Sequence, residues 1–314
     1  MTPRLPAPGT PYHRMARIGW HRWWLPPAAT VAVLVGTAAM GFVVFSVSGF
    51  VGRLTDGPGW PDDSPTFGPI INTAVLLLVI GAVLPVVLFS ARSWQRRPAG
   101  TVSSVQGRVR WRWLGICLLV AIPSIWLLVI GGGELLELTV ATEGSARPDY
   151  QWVGWPTFAA SLAVLAALVP LQAAAEEYVF RGWLLQAVGA YTSRPWVAIT
   201  PQAVLFAAAH GWGTPWGFAG LLVMGLLYGW LTVRTGGLEA AVALHVVNNL
   251  VAFGGIAALG MLDSAETAAD SPWQLFVVSA LVTGGYTVVV LGLARRRGVP
   301  AVAPSPSGPT GVGI

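Results

Sequence analysis

Apolar positions along this chain do not alternate with polar ones. They gather into long runs broken by short polar stretches. Eight runs stand out, at roughly 28–51, 69–91, 113–133, 156–188, 196–212, 215–234, 238–260 and 273–294. Crossing ~30 Å of hydrocarbon takes about 20 helical residues, so these lengths suit a bilayer. Pro85, Pro123, Pro170 and Pro201 lie inside them. In water they would argue against helices, whereas in a membrane neighbouring helices satisfy the freed backbone groups. The pattern predicts an all-α, polytopic transmembrane helix bundle of about eight spans. The first run is too long for the h-region of a signal peptide, follows a long basic segment and ends without an Ala-x-Ala site, so it reads as a retained span.

Composition sharpens the class. Of 314 residues 54% are apolar and only 10% charged, and the mean hydropathy is +0.65. Soluble domains carry about 25% charged residues. This excludes a soluble globular enzyme, a disordered regulator and a nucleic-acid binder. The isoelectric point near 10 does not restore the last option, because the basic residues, all arginine, sit in short clusters between apolar runs. The single cysteine, Cys117, excludes a disulfide framework.

Charge asymmetry between loops orients the bundle. Arg4, Arg14, Arg17 and Arg22 precede the first span; Arg92, Arg96, Arg97, Arg108, Arg110 and Arg112 lie between the second and third; Arg295, Arg296 and Arg297 follow the last. The alternate loops carry Asp56, Asp62 and Asp63; Glu134, Glu137, Glu143 and Asp149; and Asp263, Glu266 and Asp270, with only Arg53 and Arg147 breaking the pattern. Both termini are therefore expected to be cytoplasmic, in a multi-pass protein of the cell membrane. The expected organisation is a basic cytoplasmic segment (1–27), N-terminal transmembrane helices (28–151), a C-terminal transmembrane core (152–294) and a disordered cytoplasmic tail (295–314), the last rich in Gly, Pro and Ser.

Three acids lie outside the acidic loops. Glu239 stands at a helix entry, where a carboxylate favours the helix dipole. Glu176 and Glu177 lie within AALVPLQAAAEEYVFRGWLL, at the inner edge of the fourth span. An ionisable residue in a membrane helix costs at least ~2.5 kcal/mol on insertion scales and marks a functional site by default. Successive helical residues point about 100° apart, so each glutamate needs its own partner. Glu177 has Arg181 at i+4 on the same face, a positioning pair. Glu176 has no cation at i+3 or i+4 and must look to another helix, a metal or water, or be protonated. His13 and His21 belong to the basic N-terminal segment and are expected to be solvated. His210 ends the fifth run, with Phe206 one turn before it to pack beneath its ring. His245 shares a helix face with Asn249.

Glu-Glu-x-x-x-Arg (Glu176, Glu177, Arg181), Phe-x-x-x-His (Phe206, His210) and His-x-x-x-Asn (His245, Asn249), in that order over about residues 160–255, resemble the CPBP family of intramembrane proteases. That group includes the CAAX prenyl proteases and the bacterial bacteriocin-processing and self-immunity proteins. The resemblance implies peptide-bond hydrolysis in the membrane near its cytoplasmic face. By the same resemblance Glu176 and His210 activate a water, His245 and Asn249 steady the tetrahedral oxyanion, and the substrate is a membrane-associated or lipidated peptide or protein. The residue types suit this chemistry, since a carboxylate accepts a proton from water and preorganised donors stabilise an oxyanion. Two cofactor states stay open: none, with water activated by Glu176 and His210, or Zn2+ held by Glu176, His210 and His245, a ligand set of the kind zinc hydrolases use. Intramembrane Glu, His and Arg also mark proton-coupled transporters, but these show internal repeats around a midplane site, and no clear repeat relates the two halves here. A non-catalytic scaffold is the third class, against which the motif residues argue.

Overall fold

The computed structural model describes residues 5–18, 22–54, 67–143, 151–264 and 266–305. His21, Arg4 and the loop charges Asp56, Asp62, Asp63, Arg147 and Asp149 lie outside them. Among the described residues ten α-helices build the bundle: α1 (Leu25–Leu54), α2 (Pro69–Gly81), α3 (Val83–Ser93), α4 (Trp111–Glu143), α5 (Trp155–Glu177), α6 (Leu185–Gly189), α7 (Pro195–Ala209), α8 (Pro215–Thr235), α9 (Glu239–Ala258) and α10 (Trp273–Arg296). The only extended pairings among the described residues are two isolated bridges, Pro11 with Val302 and Ser104 with Gly237. The protein is thus an all-α, multi-pass membrane protein.

Local sequence explains the helix ends. Proline occupies the first turn of α2, α5, α7 and α8, where its missing N–H is not needed. The Thr214 side chain caps α8 by accepting from Gly217 N at 2.9 Å. Gly236 ends α8 with φ +69°, and a Cβ there would meet Pro300 O at 2.5 Å. Pro85 cannot donate to the carbonyl of Gly81, and the α2–α3 run is interrupted at Ala82. Pro123, Pro170 and Pro201 are carried inside α4, α5 and α7.

Among the described residues seven apolar helical runs are long enough to cross a membrane, two of them composite: α2 with α3 (25 residues), and α5 with α6 through a π-helical stretch, Tyr178–Leu184 (35 residues). The eighth expected span, α7, has only 15 residues. It still joins the two faces of the bundle. Ser193, just before it, accepts from the His13 ring, and His210 O, at its end, accepts from Thr267 in the α9–α10 connection. Within the bundle α5 packs between α2 and α9, α4 against α9 and α10, and α7 along α8, while α1 leans on α2 and α3 at the periphery. The α7–α8 contact is close because Gly225 faces Ala203, whose Cα would lie 2.8 Å from an added Cβ.

Chain ends and loops of one face interlock. Gly9 N donates to Ala303 O (2.9 Å) and Ala303 N to Thr10 O (2.8 Å). Tyr12 Oη donates to Val102 O, Val105 N to Gly236 O (2.9 Å) and Leu238 N to Ser103 O (2.9 Å). Both terminal segments therefore lie on one face, as expected from an even number of traverses. The opposite face gathers Val153, bonded to Ala258 O, and Thr214, bonded to Ser271 O at 2.6 Å.

This terminal cap corrects four expectations. His13 is not solvated: its side chain is buried, its Nε2 lies 3.3 Å from Ser193 O, and burial lowers its pKa. Arg97 is no free topogenic charge. It is fully buried, donating to Gln95 (2.6 Å), Thr101 (2.8 Å) and Gln186 (2.7 Å), and desolvation lowers its pKa to about 10. Glu239 does more than face a helix dipole. It accepts from Arg110 Nε at 2.9 Å and Nη2 at 2.5 Å, and Arg110 Nη1 reaches Thr235 O and Pro300 O, stapling loop, α9 and chain end together. Finally, the first part of the tail expected to be disordered continues α10 to Arg296 and is pinned through Ala303, which is buried, while 306–314 lie outside the described residues.

Candidate active site

A cluster of polar side chains occupies the contact between the last two turns of α5 and the N-terminal half of α9. Glu177 is fully buried, and its Oε1 accepts from Arg181 Nη1 at 3.0 Å and from His245 Nδ1 at 2.8 Å. A carboxylate only accepts, so Nδ1 carries the proton of that bond and Nε2 points the other way. There it faces Glu176 Oε2 at 3.5 Å. The imidazole is thus held between the two adjacent glutamates. They manage this because they leave α5 about 100° apart.

Arg181 neutralises Glu177. It sits in the π-helical stretch, fully buried, with its guanidinium 4.0 Å from the centroid of the Phe206 ring and 5.2 Å from that of Tyr228. One turn of wider helix directly after catalytic candidates is a recurring feature of functional sites. Phe206, buried on α7, also packs edge-on against Phe180 (5.3 Å) and His245 (6.2 Å). Its fourth neighbour is the His210 ring, at 4.7 Å.

His210 closes α7 and lies at the far end of that helix, ~22 Å from Pro195 at 1.5 Å per residue. Neither a break at Pro201 nor a later helix start brings it closer. Its ring instead lies back over the preceding turn, where Nδ1 meets Phe206 O at 2.9 Å, leaving Nε2 for another partner. The structure therefore brings Glu176, Glu177, Arg181, His245 and Asn249 into one network, with Phe206 beside it. His210 joins only through Phe206 and makes no ion pair among the described residues. The free oxygen of Glu176 faces His245, not His210.

Glu176 does have a local partner, on the N-terminal side. Gln172 Nε2 donates to Glu176 Oε1 at 2.6 Å, and Gln172 Oε1 accepts from Asn249 Nδ2 at 3.1 Å. Asn248 Nδ2 in turn donates to Asn249 Oδ1 at 3.2 Å. The i−4 spacing of Gln172 was a readable signal, but a neutral amide does not stand out as a counterpart for a carboxylate. Glu176 Oε2, Glu177 Oε2 and Arg181 Nε and Nη2 remain buried without a hydrogen-bond partner among the described residues. As for zinc, no group of three or more His, Cys, Asp or Glu side chains among the described residues is arranged to hold a metal ion: His245 is drawn to the two glutamates and His210 to Phe206, so the expected set of Glu176, His210 and His245 is not assembled.

A multi-pass helical protein with paired carboxylates, histidine and arginine in its interior is the class these features define. Residues 157–251, which hold every residue of the site, match the family described as type II CAAX prenyl endopeptidase Rce1-like. The resemblance carried by the three motifs is borne out over that segment. The chain is also similar to the uncharacterised protein YyaK of Bacillus subtilis (strain 168), 25% identical over 195 residues, which are 60% of this chain and 62% of the relative. The match spans about three fifths of that relative's length. No solved structure matches the chain.

Proposed function

We propose that this protein is an intramembrane endopeptidase that hydrolyses a peptide bond of a membrane-associated or lipidated substrate near the cytoplasmic face. The observation that carries the reading is that Glu176 Oε2, buried and without a hydrogen bond among the described residues, lies 3.5 Å from a histidine locked in position by a second, separately neutralised glutamate. Glu176 takes a proton from water as the oxygen attacks the scissile carbonyl, then returns it to the departing amine as the C–N bond breaks. General-base assistance of this kind contributes roughly 10²–10⁴-fold. Glu177 and Arg181 orient His245, much as a buried acid orients the histidine of a hydrolase triad. Asn249, through the N–H not given to Gln172, and His245, through a protonated Nε2, supply donors for the oxyanion, and His210, whose Nε2 has no hydrogen bond among the described residues, is the second group that assists at the water. Removing one preorganised oxyanion donor typically costs ~3–4 kcal/mol in the barrier.

The test is incubation of the purified protein in detergent with a peptide library, reading products by mass spectrometry. Wild type yields defined cleavage products, and Glu176→Gln, with an unchanged melting temperature, yields at least about 100-fold less. Equal cleavage by the two would remove Glu176 as the base, and absence of products from wild type would remove the protease reading.

A further inference from the structure

We propose that Gln172 is a positioning residue that fixes the base, Glu176, and couples it to Asn249. The proposal rests on the proteolytic reading above. Gln172 is 4% exposed and lies one helical turn before Glu176 on α5. Both ends of its carboxamide are engaged, the nitrogen with Glu176 Oε1 at 2.6 Å and the oxygen with Asn249 Nδ2 at 3.1 Å.

The direction of this chain is forced. An ionised Glu176 can only accept, so Gln172 must present its NH2 to it and its carbonyl to α9. Asn249 must then present its own NH2, and its carbonyl is left to accept from Asn248. One charge at Glu176 therefore sets the orientation of three amides on two helices. Two consequences follow for the reaction. Oε1 is occupied by Gln172, which leaves Oε2, facing His245, as the oxygen that takes the proton. Asn249, the proposed oxyanion donor, is held by the same amide, so base and donor keep a fixed separation across the α5–α9 contact. A carboxylate held by one charge-assisted bond loses its aim when that bond goes.

The experiment compares wild type with Gln172→Met, which keeps the bulk and removes both bonds. Cleavage kinetics on a library-derived peptide are paired with infrared difference spectra, in which the Glu176 carboxylate band is assigned by its loss in Glu176→Gln. The expected result is a kcat lowered about 10- to 100-fold, the range a hydrogen bond to a charged group supports, with KM within about threefold. The Glu176 band shifts as well, which a merely space-filling role would not produce. Unchanged kcat together with an unshifted band overturns the proposal. If wild type cleaves nothing, the protease reading fails, and the band alone decides whether Gln172 holds Glu176. If Gln172→Met does not fold, Asn249→Leu releases the far end of Gln172, and the same band must shift or the proposal falls.

Discussion

Arg181 decides whether the buried charges of the site tolerate one another. With Glu177 it forms a pair of which neither side chain is exposed. Removing one member of such a pair leaves an uncompensated charge, at a typical cost of ~3–5 kcal/mol. Arg181→Ala also loses the stacking over Phe206. The expected outcome is a marked fall in melting temperature and in activity, whereas Glu177→Gln combined with Arg181→Gln recovers folding better than Arg181→Ala. A melting temperature for Arg181→Ala equal to that of wild type would show the pair to be solvated. The Glu177–Arg181 pair was legible in the sequence because it is local, four residues within one helix. The contact of His245 with Glu177 was not, since 68 residues and a helix–helix interface separate them. Nor was the Arg110–Glu239 staple, whose partners are 129 positions apart. Gln172 was local and still unread, because an amide among alanines carries no charge to announce it.

Among the helices, the apolar runs located every membrane-length element, with ends within a few residues except that α4 runs ten residues beyond 133, since burying helical backbone in lipid leaves the chain little choice. What length alone could not show is that α5 continues through a π-helical stretch into α6, or that α7 joins the faces with 15 residues. The terminal segment was misread for a related reason: its polar and basic residues look solvated, yet Tyr12, His13 and Met15 are buried against α6 and the 99–105 loop. Gly189 lets it approach, as a Cβ there would lie 1.8 Å from His13 O. Burial lowers the pKa of His13, so the docked segment holds it neutral. The undocked histidine binds a proton below its ordinary value near 6.5. Docking is thus strongest above about pH 6.5 and weakens as the pH falls below it. Amide exchange over residues 5–18, corrected for intrinsic rates, is expected to be faster at about pH 5 than at about pH 7.5, and His13→Gln should flatten the difference. Protection independent of pH would mean that His13 does not control this contact.

For the molecule as a whole, the side on which the site opens follows from which face is cytoplasmic. The two chain ends share a face through Gly9, Thr10 and Ala303. Arg194 and Arg234 join that face too, beside the loops that already carry the arginine clusters, while Asp263, Glu266 and Asp270 lie toward the opposite face. Positive residues stay inside, so the terminal face is expected to be cytoplasmic. His245 lies ~9 Å along α9 from that face, and Glu176 ~32 Å along α5 from the opposite one, at 1.5 Å per residue. A scissile bond would then be presented from the cytoplasm or laterally from the inner leaflet. Single cysteines in a Cys117→Ala background test this with an impermeant thiol reagent on intact cells; Cys117 itself is buried and replaced only to remove background. Gln106 and Glu266 are the positions to use because both are exposed, whereas Ser103 in the same cap is buried against Tyr178. Glu266→Cys should label on intact cells, and Gln106→Cys only after lysis. Labelling of Gln106→Cys on intact cells would invert the bundle, place the arginine-rich cap outside and require a substrate that reaches the two glutamates from the outer leaflet.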